Sequence, residues 1–454
     1  MRLLKIITPT LAAVLLLASC KKEESLTPAS LTPPPANTTP PADVLKDSAL
    51  LYTEDIYLWN EKIPSTFNAR SYADPSAIMT AIRQYSLEPG FSAPVDRWSF
   101  AVNQQDWDNV SSGVAGDFGI SIFFRQEGDL RVRSVEPQSP AGKAGVRRGW
   151  RITRINGNSN ITTGNTNYIV QNVYQSSNTS FTFEKPDGST ASLSLEAAYY
   201  QEDPVVLDSV YAVNGKKTGY FVFSSFLGDT TKMYNEFGRI FNRFGAEGVQ
   251  DLVVDLRYNG GGYVTVAQAL ANYLAPSSAN GNVMMVQKFN KTYTSYNSTD
   301  YYRKKGPLNL NRIFFIVSNG TASASELLIN SLKPYMEVVL LGTSRTHGKP
   351  VGYFPIPVGT WYILPVSFFT VNKNGEGNYY DGLPLNNQVA DGLDKDWGDV
   401  GEASLASALK YINTGSFRTA APGAAVQLPA AVISGNATID AQNFKGAIDL
   451  RKRK

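Results

Sequence analysis

Three short apolar runs, VQDLVVDLR (residues 249–257), RIFFIVS (312–318) and EVVLLG (337–342), restrict the folds open to this chain more than any other feature. Each is a short continuous apolar run, so each reads as a buried strand. Helical patterns fall between them: 233–244, 264–274, and SELLINSL (325–332), which Pro334 ends. TGYFVFSSF (218–226) adds a fourth strand, and the tyrosine-rich stretch 275–305 reads as a hairpin insertion or long loop. Strands alternating with helices predict an α/β core.

At 454 residues and 43% hydrophobic content the chain has room for more than one core. Its 42 Lys and Arg against 39 Asp and Glu leave a net charge of +3, too small and dispersed for a nucleic-acid partner. The single cysteine, Cys20, excludes an internal disulfide and any other thiol nucleophile, and the single histidine, His347, excludes a two-histidine zinc site. No metal and no organic cofactor is expected.

Residues 1–19 read as a signal peptide: Arg2 and Lys5 precede an apolar run over 6–18, with small residues before Cys20. LASC resembles the lipobox of bacterial lipoproteins, which implies cleavage before Cys20, its lipidation, and a membrane-anchored protein of the cell envelope, periplasmic or surface-exposed. The Pro- and Thr-rich stretch within 20–43 predicts an extended tether. Residues 44–108 read as a helical N-terminal domain, 109–203 as a strand-rich domain and 204–415 as the α/β core; 416–454 have no clear period.

Within 109–203, GDFGISIFF and LRVRSVEPQSPAGKAGVRRGWRITRINGNS resemble a PDZ domain. The resemblance implies a β-sandwich-like unit that adds a peptide strand to a sheet edge, with amides near Gly119 and Ile120 holding a terminal carboxylate. Trp150 stands where such domains usually carry an acid.

SNGTASASELL (318–328) links the second buried strand to its helix, so Ser323 falls at a helix N-terminus, where free N–H groups favour developing negative charge. Ser323 and Glu326 equally fit a capping box. Locally, both readings stand.

The order of segments resembles the carboxyl-terminal processing (tail-specific) proteases, the S41 serine peptidases. DLRYNGGG (255–262), SNGTASASELL and LLGTSRTHGKPVG (340–352) carry the match. The resemblance implies a multidomain α+β protein with a helical cap, a PDZ domain and a peptidase core. It also implies Ser323 as nucleophile, Lys349 as general base, and the N–H groups of Ala324 and of Gly261 or Gly262 as the oxyanion hole. A lysine serves as base only when burial lowers its pKa. Lys349 lies 26 positions after Ser323 (349 − 323), one more than the family pattern implies. Where many members carry an orienting glutamine four residues on, this chain has Tyr353, so the third member stays open. His347 is the alternative base. KTG (217–219) and S-x-x-K (407–410) occur in the wrong order for a penicillin-binding enzyme, and no G-x-S-x-G elbow is present.

The expected function is a lipid-anchored serine endopeptidase that takes polypeptides by their C-terminal tails. The alternative from another class is a catalytically inactive, PDZ-containing peptide-binding lipoprotein.

Overall fold

The computed structural model describes residues 41–417 and 446–449. The expected signal peptide, Cys20, the tether up to residue 40 and most of 416–454 lie outside the described residues.

Six strands form the central sheet: β1 (Val205–Val213), β2 (Lys216–Phe223), β3 (Val249–Asp255), β4 (Arg312–Val317), β5 (Glu337–Gly342) and β6 (Asn387–Gln388), in the order β6-β5-β4-β3-β2-β1. All neighbours run parallel except β1 and β2, which form an antiparallel hairpin. The apolar runs have a direct physical cause. Phe221, Leu252, Val254, Ile313, Phe315 and Leu340 point to one face, under helices α1 (Thr230–Ala246), α2 (Val264–Leu274) and α3 (Ala324–Leu332). Their neighbours Tyr220, Val222, Val253, Phe314, Ile316, Val339 and Leu341 point to the other face, where α4 (Ala403–Thr414) covers them with Leu405, Ala408 and Ile412. A strand buried on both sides has no polar positions to alternate. The stretch after α2 is a hairpin, Val283–Phe289 against Ser298–Tyr301.

The N-terminal helices pack onto the rest of the fold. Tyr57, Trp59, Ile78, Met79, Ile82 and Trp98 share one apolar cluster with Val351, Tyr353, Ile363, Val366 and Tyr380. Strand Phe100–Asn103 pairs antiparallel with Trp361–Leu364, and the boundary expected at 108 falls inside the helix Gln104–Ser112.

Residues 120–196 form a five-stranded antiparallel sheet in chain order, with its own core around Phe118, Ile122, Leu130, Ile152, Phe181 and Phe183. This is one sheet packed by short helices, Pro140–Lys143 and Thr166–Tyr174. A two-stranded neck, Val114–Asp117 against Ala198–Gln201, joins it to the rest.

Candidate active site

The loops that follow β3, β4 and β5 meet at the C-terminal edge of the sheet, where open α/β folds place their ligands. The loop after β4 is pinned to the turn after β3 by side chains that the sequence left interchangeable. Thr321 Oγ1 donates to the Leu256 carbonyl (2.7 Å), Ser325 Oγ to the Asn259 carbonyl (3.0 Å), and Ser318 Oγ to the Arg257 carbonyl.

Ser323 differs from them. It is 1% exposed, its hydroxyl has no hydrogen-bond partner, and its φ is 59°. A buried unpartnered hydroxyl costs about 1–3 kcal/mol, and a left-handed backbone on a residue other than glycine about as much again. The capping-box pair Ser323 and Glu326 is in place, and the Ser323 N–H donates to Glu326 Oε2 (2.7 Å), but the Ser323 hydroxyl facing the helix start does not reach hydrogen-bond geometry.

Glu326, fully buried, is the joint of the site. Its Oε2 also accepts from the Lys349 N–H (2.8 Å), so one oxygen bridges the backbones of Ser323 and Lys349. Its Oε1 accepts from the Gly348 N–H (2.7 Å) and from Thr346 Oγ1 (2.5 Å). Burial raises the Glu326 carboxyl above its ordinary value, while these four donors pull the other way.

Lys349 is 1% exposed. Burial holds its ammonium well below the ordinary lysine value, against the opposing charges of Asp96 and Glu326. Its Nζ lies 3.8 Å from the centre of the Tyr353 ring and 5.7 Å from that of Trp98. Trp98 Nε1 donates to His347 Nε2 (2.9 Å), which occupies the lone pair that nitrogen would need as a base. Asp96 is fixed by the Tyr57 hydroxyl (2.8 Å) and Ser99 Oγ (2.5 Å). Asp96 and Trp98 carried no signal in the sequence, because about 250 residues separate them from the lysine.

The two candidate oxyanion glycines have φ of 104° and 138°. A Cβ on Gly261 would lie 3.0 Å from the Ala324 nitrogen and one on Gly262 2.3 Å from the Phe226 carbonyl carbon, so both positions require glycine on sterics alone. The Gly261 N–H is donated to Asn259 Oδ1 (2.9 Å), leaving Ala324, at the first turn of α3, as the donor beside Ser323 with no intrahelical partner.

Gly119 and Ile120 open the edge strand of the five-stranded sheet. The Gly119 N–H, expected to face a peptide carboxylate, is donated to Asp117 Oδ1 (2.7 Å), and Asp117 also accepts from the Tyr200 hydroxyl (2.7 Å). A cavity of about 530 Å³ runs from Gly119 and Ile120 to Gly260 and Gly261. Its two sides are tied together by Arg148, whose guanidinium reaches Asp391 (2.5 Å) and the Tyr258 hydroxyl (2.9 Å).

Residues 217–377 match the profile of Peptidase family S41, and residues 52–100 match the Peptidase S41 N-terminal domain. The chain is 28% identical over 258 residues to the "Probable CtpA-like serine protease" of Staphylococcus aureus, covering 56% of this chain and 49% of that one. It is 25% identical over 306 residues to the "Carboxy-terminal processing protease CtpB" of Bacillus subtilis, covering 66% and 59%. The match thus spans about half the length of these curated relatives. A solved structure from Bacteroides fragilis, assigned to the S41 proteases, shares the fold with a TM-score of 0.67 at 23% identity, covering 81% of this chain and 97% of that one. Two segments of the chain, in order, thus match models of the S41 peptidases, and the fold is that of an S41 protease structure.

Proposed function

We propose that this protein is a serine endopeptidase of the carboxyl-terminal processing type, working through a Ser323/Lys349 dyad. One observation carries the reading. The buried hydroxyl of Ser323 has no hydrogen-bond partner, and the residue is joined through one Glu326 oxygen to a buried lysine whose pKa is strongly depressed.

Neutral Lys349 takes the Ser323 proton as Oγ attacks a peptide carbonyl. The resulting oxyanion is met by the Ala324 N–H at the helix N-terminus. Collapse breaks the C–N bond, and the lysine returns its proton to the leaving amine. Water, deprotonated by the same lysine, then releases the acyl group and restores Ser323. Burial, with Trp98 and Tyr353 among the groups around the amine, lowers its pKa and favours the neutral form. Substrates are polypeptides. We also propose that the five-stranded unit is a PDZ domain that receives their C-terminal tails, and that Cys20 carries a lipid anchor on the cell envelope.

Casein digestion by the wild type, Ser323→Ala, Lys349→Ala and His347→Ala tests the dyad. Cleavage is expected to vanish in the first two variants and persist in the third. Cleavage that survives Ser323→Ala and Lys349→Ala refutes it, and a wild type inert on many tailed substrates returns the binding-lipoprotein reading.

A further inference from the structure

Residues 446–449, Gly-Ala-Ile-Asp, are far in sequence from the loops that build the site, yet they lie between two of its parts. On one side Gly446–Ile448 runs parallel to Gly261–Tyr263, and the Gly446 N–H donates to the Gly260 carbonyl (3.0 Å). In a parallel ladder of this register the Gly446 carbonyl faces the Gly262 N–H, one of the two candidate oxyanion amides. On the other side the Tyr353 N–H donates to the Ala447 carbonyl (3.0 Å), and the Asp449 N–H to the Tyr353 carbonyl (3.2 Å).

The glycines around the strand keep its place open. A Cβ on Gly261 would stand 2.3 Å from the Gly446 oxygen, and one on Gly352 would stand 2.7 Å from the Ala447 oxygen. Ile448 is buried among the apolar residues that include Val351 and Tyr353. Main-chain bonds on both flanks, with alternate side chains in pockets, are how a sheet edge binds a peptide of loosely defined sequence.

We propose that Gly446–Asp449 occupies the strand position in which an extended polypeptide substrate is laid across Ser323, so that the chain carries its own competitor for the site. The inference rests on the peptidase reading and deepens it. The position accepts small residues where Gly446 and Ala447 lie against backbone, followed by an aliphatic residue where Ile448 lies. Substrate must displace the segment, so apparent affinity falls by the fraction of molecules in which it is docked.

The test uses the full chain with Ser323→Ala, so that the probe is not cut, and a fluorescent peptide of sequence FKGAIDL, residues 444–450. Anisotropy compares Ser323→Ala alone with Ser323→Ala carrying Ile448→Asp, which expels the buried aliphatic, or Gly446→Pro, which removes the donor to Gly260. Both double variants are expected to bind the peptide about tenfold or more tighter than Ser323→Ala alone. With Ser323 intact, they are expected to cleave casein faster than the wild type. Equal peptide affinity in all three proteins overturns the inference, as does loss of cooperative unfolding in both variants, which would make the strand part of the fold. Tighter peptide binding with no casein cleavage by any protein keeps the strand site and refutes only the peptidase reading.

Discussion

Replacing Glu326 by Gln tests whether one buried carboxylate holds the two halves of the site together. The carboxylate receives four donors, two on each oxygen: Ser323 N and Lys349 N on Oε2, Gly348 N and Thr346 Oγ1 on Oε1. A glutamine must turn its NH₂ toward one of these pairs. Facing Thr346 and Gly348 is the better choice, because the Thr346 hydroxyl can rotate to accept, but the Gly348 N–H then opposes another donor. A hydrogen bond to a buried charge contributes about 1.5–3 kcal/mol, and an orphaned buried N–H costs about 1–3 kcal/mol. Part of this is returned, since burial of the charge is itself unfavourable and raises the Glu326 pKa. The net loss should be about 2–4 kcal/mol in urea unfolding. Because Gly348 leads directly into Lys349, the lysine should also shift by a fraction of an ångström to an ångström, and kcat/KM should fall about 100-fold. Thr346→Val, which removes one donor to Glu326 and also orphans the Leu383 N–H that Thr346 Oγ1 accepts (2.7 Å), should cost about 2–4 kcal/mol. A Glu326→Gln protein within 1 kcal/mol and threefold of wild type would refute the reasoning.

Three other outcomes follow from the charges. Lys349→Met should stabilise the protein at pH 7: the folded lysine pKa is depressed, so the unfolded state binds the extra proton, and wild-type stability rises with pH up to about 10.4. The difference in Tm between variant and wild type should shrink between pH 7 and 10, and a constant difference would mean that the lysine is charged when folded. Glu136 is pushed up to about 8, mainly by burial and then by Glu202, so its contribution is full below the unfolded carboxyl value and is lost as pH rises to about 8. Glu136→Gln should flatten that decline in chemical-denaturation curves, and an unchanged slope would assign it to other groups. Asp117→Ala frees the Gly119 N–H and removes a competing carboxylate, so peptides with a free C-terminus should bind more tightly by anisotropy than their amidated forms. No preference for the free terminus would count against tail recognition at Gly119.

The sequence by itself determined the α/β core and singled out Ser323 and Lys349 as candidates. Unbroken apolar strands such as RIFFIVS report burial, and the loops after them carry Ser323 and Lys349 as local motifs. Tertiary structure decided what those residues touch. Glu326 read locally as a helix cap became the carboxylate that joins two loops, because Gly348 and Lys349 fold back onto the start of α3. Trp98 and Asp96 reached the lysine from the N-terminal helices, and Gly446–Asp449 reached the glycine turn from the far end of the core. Gly119 kept the glycine expected of a peptide-binding loop, but its amide found Asp117 instead. Periodicity and spacing act through neighbouring residues along the chain and so fix the elements, whereas the burial, hydrogen bonding and charge that make a lysine basic depend on groups that meet only once the elements have packed.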